Sequence, residues 1–277
     1  MDTRQIGRRG FLKMAGVATM GFGEVWALSS CRSESGEGTT KAAGPQRHFV
    51  TLSFDDGFKR SSIRTAEIYE KYGLSACINI VASAHLDTFV PPNEGMMGVE
   101  YGDFGLWNEL KARGHEIMPH SWEHAHLAQM PLKEAQARVT KCLDYFRDNL
   151  KGFEAKEAVF VFPYNASTPE LEEWIVTQVL GFRTFGAAIN PVPHAGQARL
   201  TSVSFGPGYC DDDVERCVQE LLARPSGWLV YNTHGLDGEG WGPMRSSYLE
   251  GLLERLLAIE NAEIVPAGVA LRRVNAV

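Results

Sequence analysis

Three short clusters combine carboxylates and imidazoles in ways that could do hydrolytic chemistry. The first is Ser53-Phe54-Asp55-Asp56-Gly57, directly after an apolar run. Two adjacent carboxylates at a strand end are costly to bury unless something positive balances them, and a metal ion would do so. The same Asp-Asp-Gly also makes an ordinary turn. The second cluster is Pro119-His120-Ser121-Trp122-Glu123-His124. Its histidines stand four apart, so they share a face if the segment becomes a helix, a spacing expected of a metal pair. It is not the zincin pattern, because Glu123 directly precedes the second histidine. His126 is off that face, a candidate for contact with substrate or with the ligands. The third cluster, Tyr231-Asn232-Thr233-His234-Gly235, ends an apolar run in an imidazole. Its ordinary pKa suits proton transfer at neutral pH, although a core histidine bonded to a carbonyl would look the same.

The elements that must position these groups alternate in type. Residues 48–54, 76–81, 115–118, 158–162, 181–186, 200–205, 228–232 and 262–265 read as strands. Residues 61–72, 104–113, 132–150, 168–180, 211–222 and 247–260 read as helices. Gly114 stops the second helix and Pro169 with Glu170 suit the first turn of the fourth. Alternating β and α without a composition break predicts one α/β domain built on a parallel sheet or barrel, with each cluster at a strand end where such folds gather function. Residues 82–101 are long, polar and Pro- and Gly-bearing, a candidate active-site loop. Trp122, Tyr209, Trp241 and the Gly-rich loop 235–243, with Asp237 and Glu239, are candidate sugar contacts; the tryptophans would serve equally to pack a barrel rim.

The N-terminus reads separately. Gly7-Arg8-Arg9-Gly10-Phe11-Leu12-Lys13 resembles a twin-arginine export signal, an apolar stretch follows, and Leu28-Ser29-Ser30-Cys31 resembles a lipobox. The stretch is shorter than the roughly 20 apolar residues of a membrane span. Residues 1–31 are thus expected to be a lipoprotein-type signal peptide, with the membrane reached through lipid on Cys31, and 32–47 a flexible tether. The protein is expected to be exported, to the periplasm or cell surface. Hydrophobic residues at 44 % are enough for a sizeable core in the remainder, 48–277. A net charge of −7 argues against nucleic acid as a partner. Cys77 lies in an apolar run and should be a buried thiol. Cys210 and Cys217, seven apart at a helix start, would be separated by roughly 10 Å along the axis, too far for a disulfide. No CxxC pair suggests a cysteine metal site.

Together the clusters resemble the polysaccharide deacetylase family, the NodB-type carbohydrate esterases. Ser53 to Gly57 is similar to its T/S-F-D-D-G motif and His120 to His124 to its H-S/T-x-x-H motif. Phe162-Pro163-Tyr164 partly matches R-x-P-Y, and Asn232-Thr233-His234 resembles the closing L-x-H without its leucine. The resemblance implies a distorted (β/α) barrel of about seven strands. It implies that Asp56, His120 and His124 hold one divalent metal, zinc first and cobalt or another ion next. It makes Asp55 the general base, the Tyr164 backbone N–H an oxyanion donor, and His234 the acid that protonates the leaving group.

The implied activity is removal of acetyl groups, most simply N-acetyl, from an acetylated polysaccharide or oligosaccharide. An O-acetyl esterase and a catalytically weak carbohydrate-binding lipoprotein are the alternatives. The motif arginine that would orient Asp55 is missing, since Phe160, Val161 and Phe162 stand before Pro163; Arg183, on the next strand, could take its place. The Asp- and Trp-containing fourth motif has no clear counterpart, and Asp211 and Asp212 could be helix caps.

Overall fold

β1 (His48–Phe54) is buried at all seven positions, as a strand covered on both faces must be, and it lies inside the larger sheet. The computed structural model describes residues 47–275; the leader expected over 1–31 and the tether expected over 32–47 lie outside the described residues, except for Arg47. After β1 come α1 (Lys59–Lys71), β2 (Cys77–Ile80), α2 (Phe104–Ala112), β3 (Glu116–Pro119), α3 (Leu132–Asn149) and β4 (Val159–Val161). Then follow α4 (Pro169–Ile175), β5 (Gly181–Phe185), β6 (Ile189–Asn190), β7 (Arg199–Ser202), α5 (Asp211–Leu222) and β8 (Gly227–Thr233). The chain closes with α6 (Ser246–Leu257), β9 (Ala262–Ile264) and α7 (Ala267–Asn275).

Seven of these strands are the staves of a distorted (β/α) barrel. β3-β2-β1-β8 are parallel neighbours in one sheet and β4-β5-β7 in the other. The two sheets meet at β7 and β8, where the Asn232 N–H donates to Val203 O at 3.1 Å. Between β3 and β4 no ladder forms. There the Val159 N–H donates to Met118 Sδ at 3.3 Å, and His120 Nδ1 bonds Val161 O at 3.0 Å. The wall is therefore not a closed sheet, and one of the histidines singled out by its spacing spans its seam.

The apolar faces explain the packing. Val139, Cys142, Leu143 and Phe146 of α3 and Leu249, Leu252, Leu253 and Leu256 of α6 recur at helical spacing and are buried. Each contributes about 1.5–3 kcal/mol by leaving water. Asp103 caps α2 by accepting the Leu106 N–H at 2.9 Å, and Thr168 caps α4 with Pro169 in its first turn. The four cysteines among the described residues are buried and free. No helix among the described residues is long and apolar enough to cross a membrane.

Two elements were not anticipated. β6 is two residues long and antiparallel to β8, too short to carry a period. α7 buries Ala267, Gly268, Ala270 and Leu271; its start is held by buried Glu116, which accepts the Gly268 and Val269 N–H groups, each at 2.9 Å. α4 stops at Ile175 rather than near residue 180.

Candidate active site and metal centre

The register of the staves brings the three clusters to one mouth. Phe54 pairs with Thr233 and Ile78, so Asp55 emerges beside His234 on one side and beside Asn79 on the other. Successive strand residues normally point to opposite faces, yet Asp55 and Asp56 line the same cavity. The reason is a left-handed turn: Asp56 has φ 74° and Gly57 φ 77°, and a Cβ on Gly57 would lie 3.0 Å from the Ile80 side chain.

His120 and His124 are brought together by a different device from the helix their spacing suggested. The segment is a tight non-helical turn, with Ser121 at φ 68° and His124 at φ 55°. Ser121 Oγ accepts the His124 N–H at 3.0 Å and fixes it. The rings meet edge-to-face at 4.9 Å. The segment does not turn into a helix because the carbonyls a first turn would use are taken by the chain after β2: Ser121 O accepts the Ala82 N–H at 3.0 Å and Trp122 O the Ser83 N–H at 2.9 Å.

His120 Nε2 and His124 Nε2 stand 3.5 and 3.4 Å from Asp56 Oδ1. One donor atom from each of the three residues lies within 4.8 Å of the others, and all three side chains are buried. Because a carbonyl only accepts, His120 Nδ1 must carry the proton it gives to Val161 O, which leaves Nε2 as the nitrogen facing Asp56. Asp56 Oδ1 is buried without a hydrogen-bond donor. Burial raises the Asp56 carboxyl pKa, but the neighbouring His124 and His120 outweigh it and hold it well below the ordinary value. Burial dominates at His124 and lowers its pKa to about 4, so the ring is neutral at pH 7. An anionic carboxylate, two buried imidazoles and an orphaned acceptor fit a divalent cation, with positions left open on one side.

Asp55 is held differently. Arg183 Nη1 donates to its Oδ1 at 2.9 Å and Nη2 to its Oδ2, while Asn79 Nδ2 donates to Oδ1 at 2.8 Å. Burial pushes this carboxyl up, but the Arg183 charge and hydrogen bonds and the nearby histidines outweigh it and lower it. Arg183 comes from β5, directly opposite Val161 of β4, the position at which the expected motif arginine would stand.

Tyr164 has φ 58° in a short turn after β4, and its ring stacks on His126 at 4.9 Å and meets His124 edge-on at 4.7 Å. The cavity, about 520 Å³, is lined by Asp55, Asp56, His120, His124, Tyr164 and His234 together. Asn93 to Gly95 from the 82–101 loop and Trp241 complete its rim. Of the six non-glycine described residues with positive φ, five (Asp56, Ser121, His124, Tyr164 and Asn165) belong to the loops of this site. Strained backbone concentrated in this way marks a site that tertiary structure over-determines.

The remaining candidates separate. Trp241 borders the cavity and meets His234 edge-on at 5.4 Å. Trp122 lines another cavity, with Lys141 3.9 Å above its ring. Tyr209 is covered by the Arg245 guanidinium at 4.1 Å. Asp237 accepts the Ser246 N–H at 2.9 Å and Glu239 the Ser61 N–H at 2.8 Å, so both hold the 235–243 loop in place. Asp211 ties α5 to the Arg245 N–H at 3.0 Å. The sequence reading missed Asn79, whose place beside Asp55 follows only from strand register, and Asn232 as a side chain, although its departure from a motif leucine was a signal.

The sequence profile of the polysaccharide deacetylase family matches residues 42–184, and the chain belongs to that family. No curated protein matches the sequence. The fold is similar to a family 4 acetyl xylan esterase from Clostridium thermocellum solved with cobalt, at 16 % identity and TM-score 0.54 over 82 % of this chain and 91 % of that one. It is similar to the Bc1960 peptidoglycan N-acetylglucosamine deacetylase, at 16 % identity and TM-score 0.56 over 82 % and 90 %. It is also similar to BA3943 of Bacillus anthracis, a pseudoenzyme of carbohydrate esterase family 4, at 12 % identity and TM-score 0.52 over 82 % and 66 %.

Proposed function

We propose that this protein is an exported, lipid-anchored, metal-dependent hydrolase that removes acetyl groups, N-acetyl first, from a carbohydrate. The observation that carries the reading is the convergence of two carboxylates, a histidine pair, a third histidine and the Tyr164 turn on one cavity at the strand ends. Asp56, His120 and His124 are the residues to hold a divalent ion, zinc first. When bound, that ion supplies Lewis acidity toward the acyl carbonyl.

Asp55 takes the proton of the attacking water. Its pairing with Arg183 fixes the carboxylate's direction at the expense of some basicity. The Tyr164 backbone N–H meets the negative charge that develops on the carbonyl oxygen. His234, at the end of the neighbouring stave β8, returns a proton to the leaving amine or alcohol, so acetate and a free amine or hydroxyl result. Trp241 closes the site beside His234 and limits water.

The same groups serve an ester, so an O-acetyl esterase is the second reading, supported by likeness to the acetyl xylan esterase. The likeness to a pseudoenzyme and the missing motif arginine favour a binding-only protein. The two-pronged Arg183–Asp55 contact speaks against it.

The test is acetate release by the purified protein from N- and O-acetylated oligosaccharides, with and without chelator. Chelator-sensitive release that vanishes in Asp55→Asn supports the reading, and the responsive substrate decides amide against ester. A folded, metal-loaded protein that releases acetate from none of them would sink it.

A further inference from the structure

Tyr164 and Asn165 are consecutive left-handed residues, at φ 58° and 50°, and neither is glycine. An aromatic residue in that region is a steric outlier, so contacts from elsewhere must hold the pair. They come from three strands. Thr184 Oγ1 of β5 donates to Asn165 O at 3.0 Å, and Ser202 Oγ of β7 donates to Asn165 Oδ1 at 3.2 Å. Asn165 Nδ2 donates to Asn232 Oδ1 of β8 at 2.9 Å. Asn232 Nδ2 in turn points to Asp55 Oδ2 at 3.4 Å. All of Asn165, Ser202 and Asn232 are buried.

The charge at one end sets the direction of the whole chain. An ionised carboxylate only accepts, so Asn232 must turn its NH2 toward Asp55 and its oxygen toward Asn165. Asn165 must then give its own NH2 to Asn232 and keep its oxygen for the Ser202 hydroxyl. The amides are thereby locked in one orientation and transmit it to the backbone of the Tyr164 turn.

We propose that Asn165 and Asn232 are positioning residues that clamp the Tyr164 N–H and tie it to Asp55. The clamp stands on geometry alone; only the N–H's part as oxyanion donor rests on the hydrolase reading above. Asn232 occupies the place of the expected motif leucine, so two of this chain's departures, that leucine and the arginine replaced by Arg183, both end at the Asp55 carboxylate.

Asparagine also tolerates left-handed backbone for purely local reasons, and the experiment must separate that from clamping. Asn165→Gly keeps the backbone permission and removes the amide. Asn165→Asp keeps the shape but cannot donate to Asn232. With 15N-tyrosine labelling of the full chain, the Tyr164 amide is identified by its loss in Tyr164→Phe. The clamp predicts a single sharp resonance in the wild type that shifts and broadens in Asn165→Gly, Asn165→Asp and Asn232→Leu. On substrate, kcat falls about ten- to a hundredfold with KM within about twofold, short of losing an oxyanion donor outright. A Tyr164 resonance unchanged in both Asn165 variants overturns the clamp. A wild type without acetate release overturns the hydrolase reading instead, and the resonances still decide the clamp.

Discussion

Asp55 and Arg183, 128 residues apart in sequence and each only 2 % exposed, meet as a buried two-pronged ion pair. Both Asp55 oxygens are engaged by the guanidinium, and Ser53 Oγ accepts from Nη1 at 2.6 Å. Removing one partner of such a pair strands the other. Arg183→Met should therefore destabilise the fold by about 3–5 kcal/mol in urea unfolding, and Asp55→Asn added to it should restore part of the loss. Arg183→Lys keeps the charge but not the fork, so it should cost more in kcat than in stability. An Arg183→Met protein within about 1 kcal/mol of wild type would show that the pair is dispensable.

How much of this was readable in the chain depends on whether a feature is local. β1 and α5 were bounded correctly because their apolar periods and flanking residues are local; the strand-end places of Asp55 and Asp56 followed from β1, and those of His120 and His234 from β3 and β8, whose ends were read to within a residue. The His120–His124 spacing was legible while its conformation was not: the turn is set by Ser121 Oγ and by pairing to β2. Asn79 reached Asp55 only through the β1–β2 register, which no composition records. Arg183 was nameable as the nearest arginine on the following strand, yet its two-pronged contact is a product of sheet geometry. Trp122 and Trp241 looked alike as sequence and proved opposite in place, since each sits on a loop whose course tertiary contacts decide.

Metal content should respond to each proposed ligand. Purified wild type should carry about one divalent ion per chain, and His120→Ala and His124→Ala close to none, by elemental analysis. The two variants should differ in stability. His120 also bonds Val161 O across the β3–β4 seam, so its loss should cost about 1 kcal/mol more than that of His124. Full metal in both variants would refute the ligand assignment.

His124 gives the metal-free protein a pH signature. Burial, only partly opposed by the Asp56 charge, lowers its pKa from 6.5 to about 4. Between those values the unfolded chain binds a proton that the folded chain does not, so stability must fall as pH drops from 6.5 toward 4. His124→Asn removes that proton. In chelator-treated samples unfolded by urea at pH 7, 6 and 5, the variant's stability should decline less steeply than that of wild type. Equal slopes would mean that His124 titrates normally in the folded state.

The proposed twin-arginine leader is testable in cells. Replacing Arg8 and Arg9 with lysine should leave precursor in the cytoplasm, and Cys31→Ala should release exported protein from the membrane fraction. Unaltered export of the lysine variant would remove the leader from the argument.

Trp241 owes its place to two glycines. A Cβ at Gly95 would stand 2.8 Å from Trp241 Cβ, and one at Gly206 would stand 2.6 Å from the indole Cδ2. Neither distance is tolerable, so any side chain at Gly206 must drive the ring from its wall beside His234. Gly206→Ala should then behave like Trp241→Ala without touching a polar group: KM rises about three- to tenfold, which is roughly 1 kcal/mol of binding, while metal content is unchanged. Because the ring borders the cavity on the His234 side, kcat should fall less than KM rises. If Gly206→Ala leaves KM within twofold while Trp241→Ala raises it, the indole acts from a position other than the one wedged between the glycines.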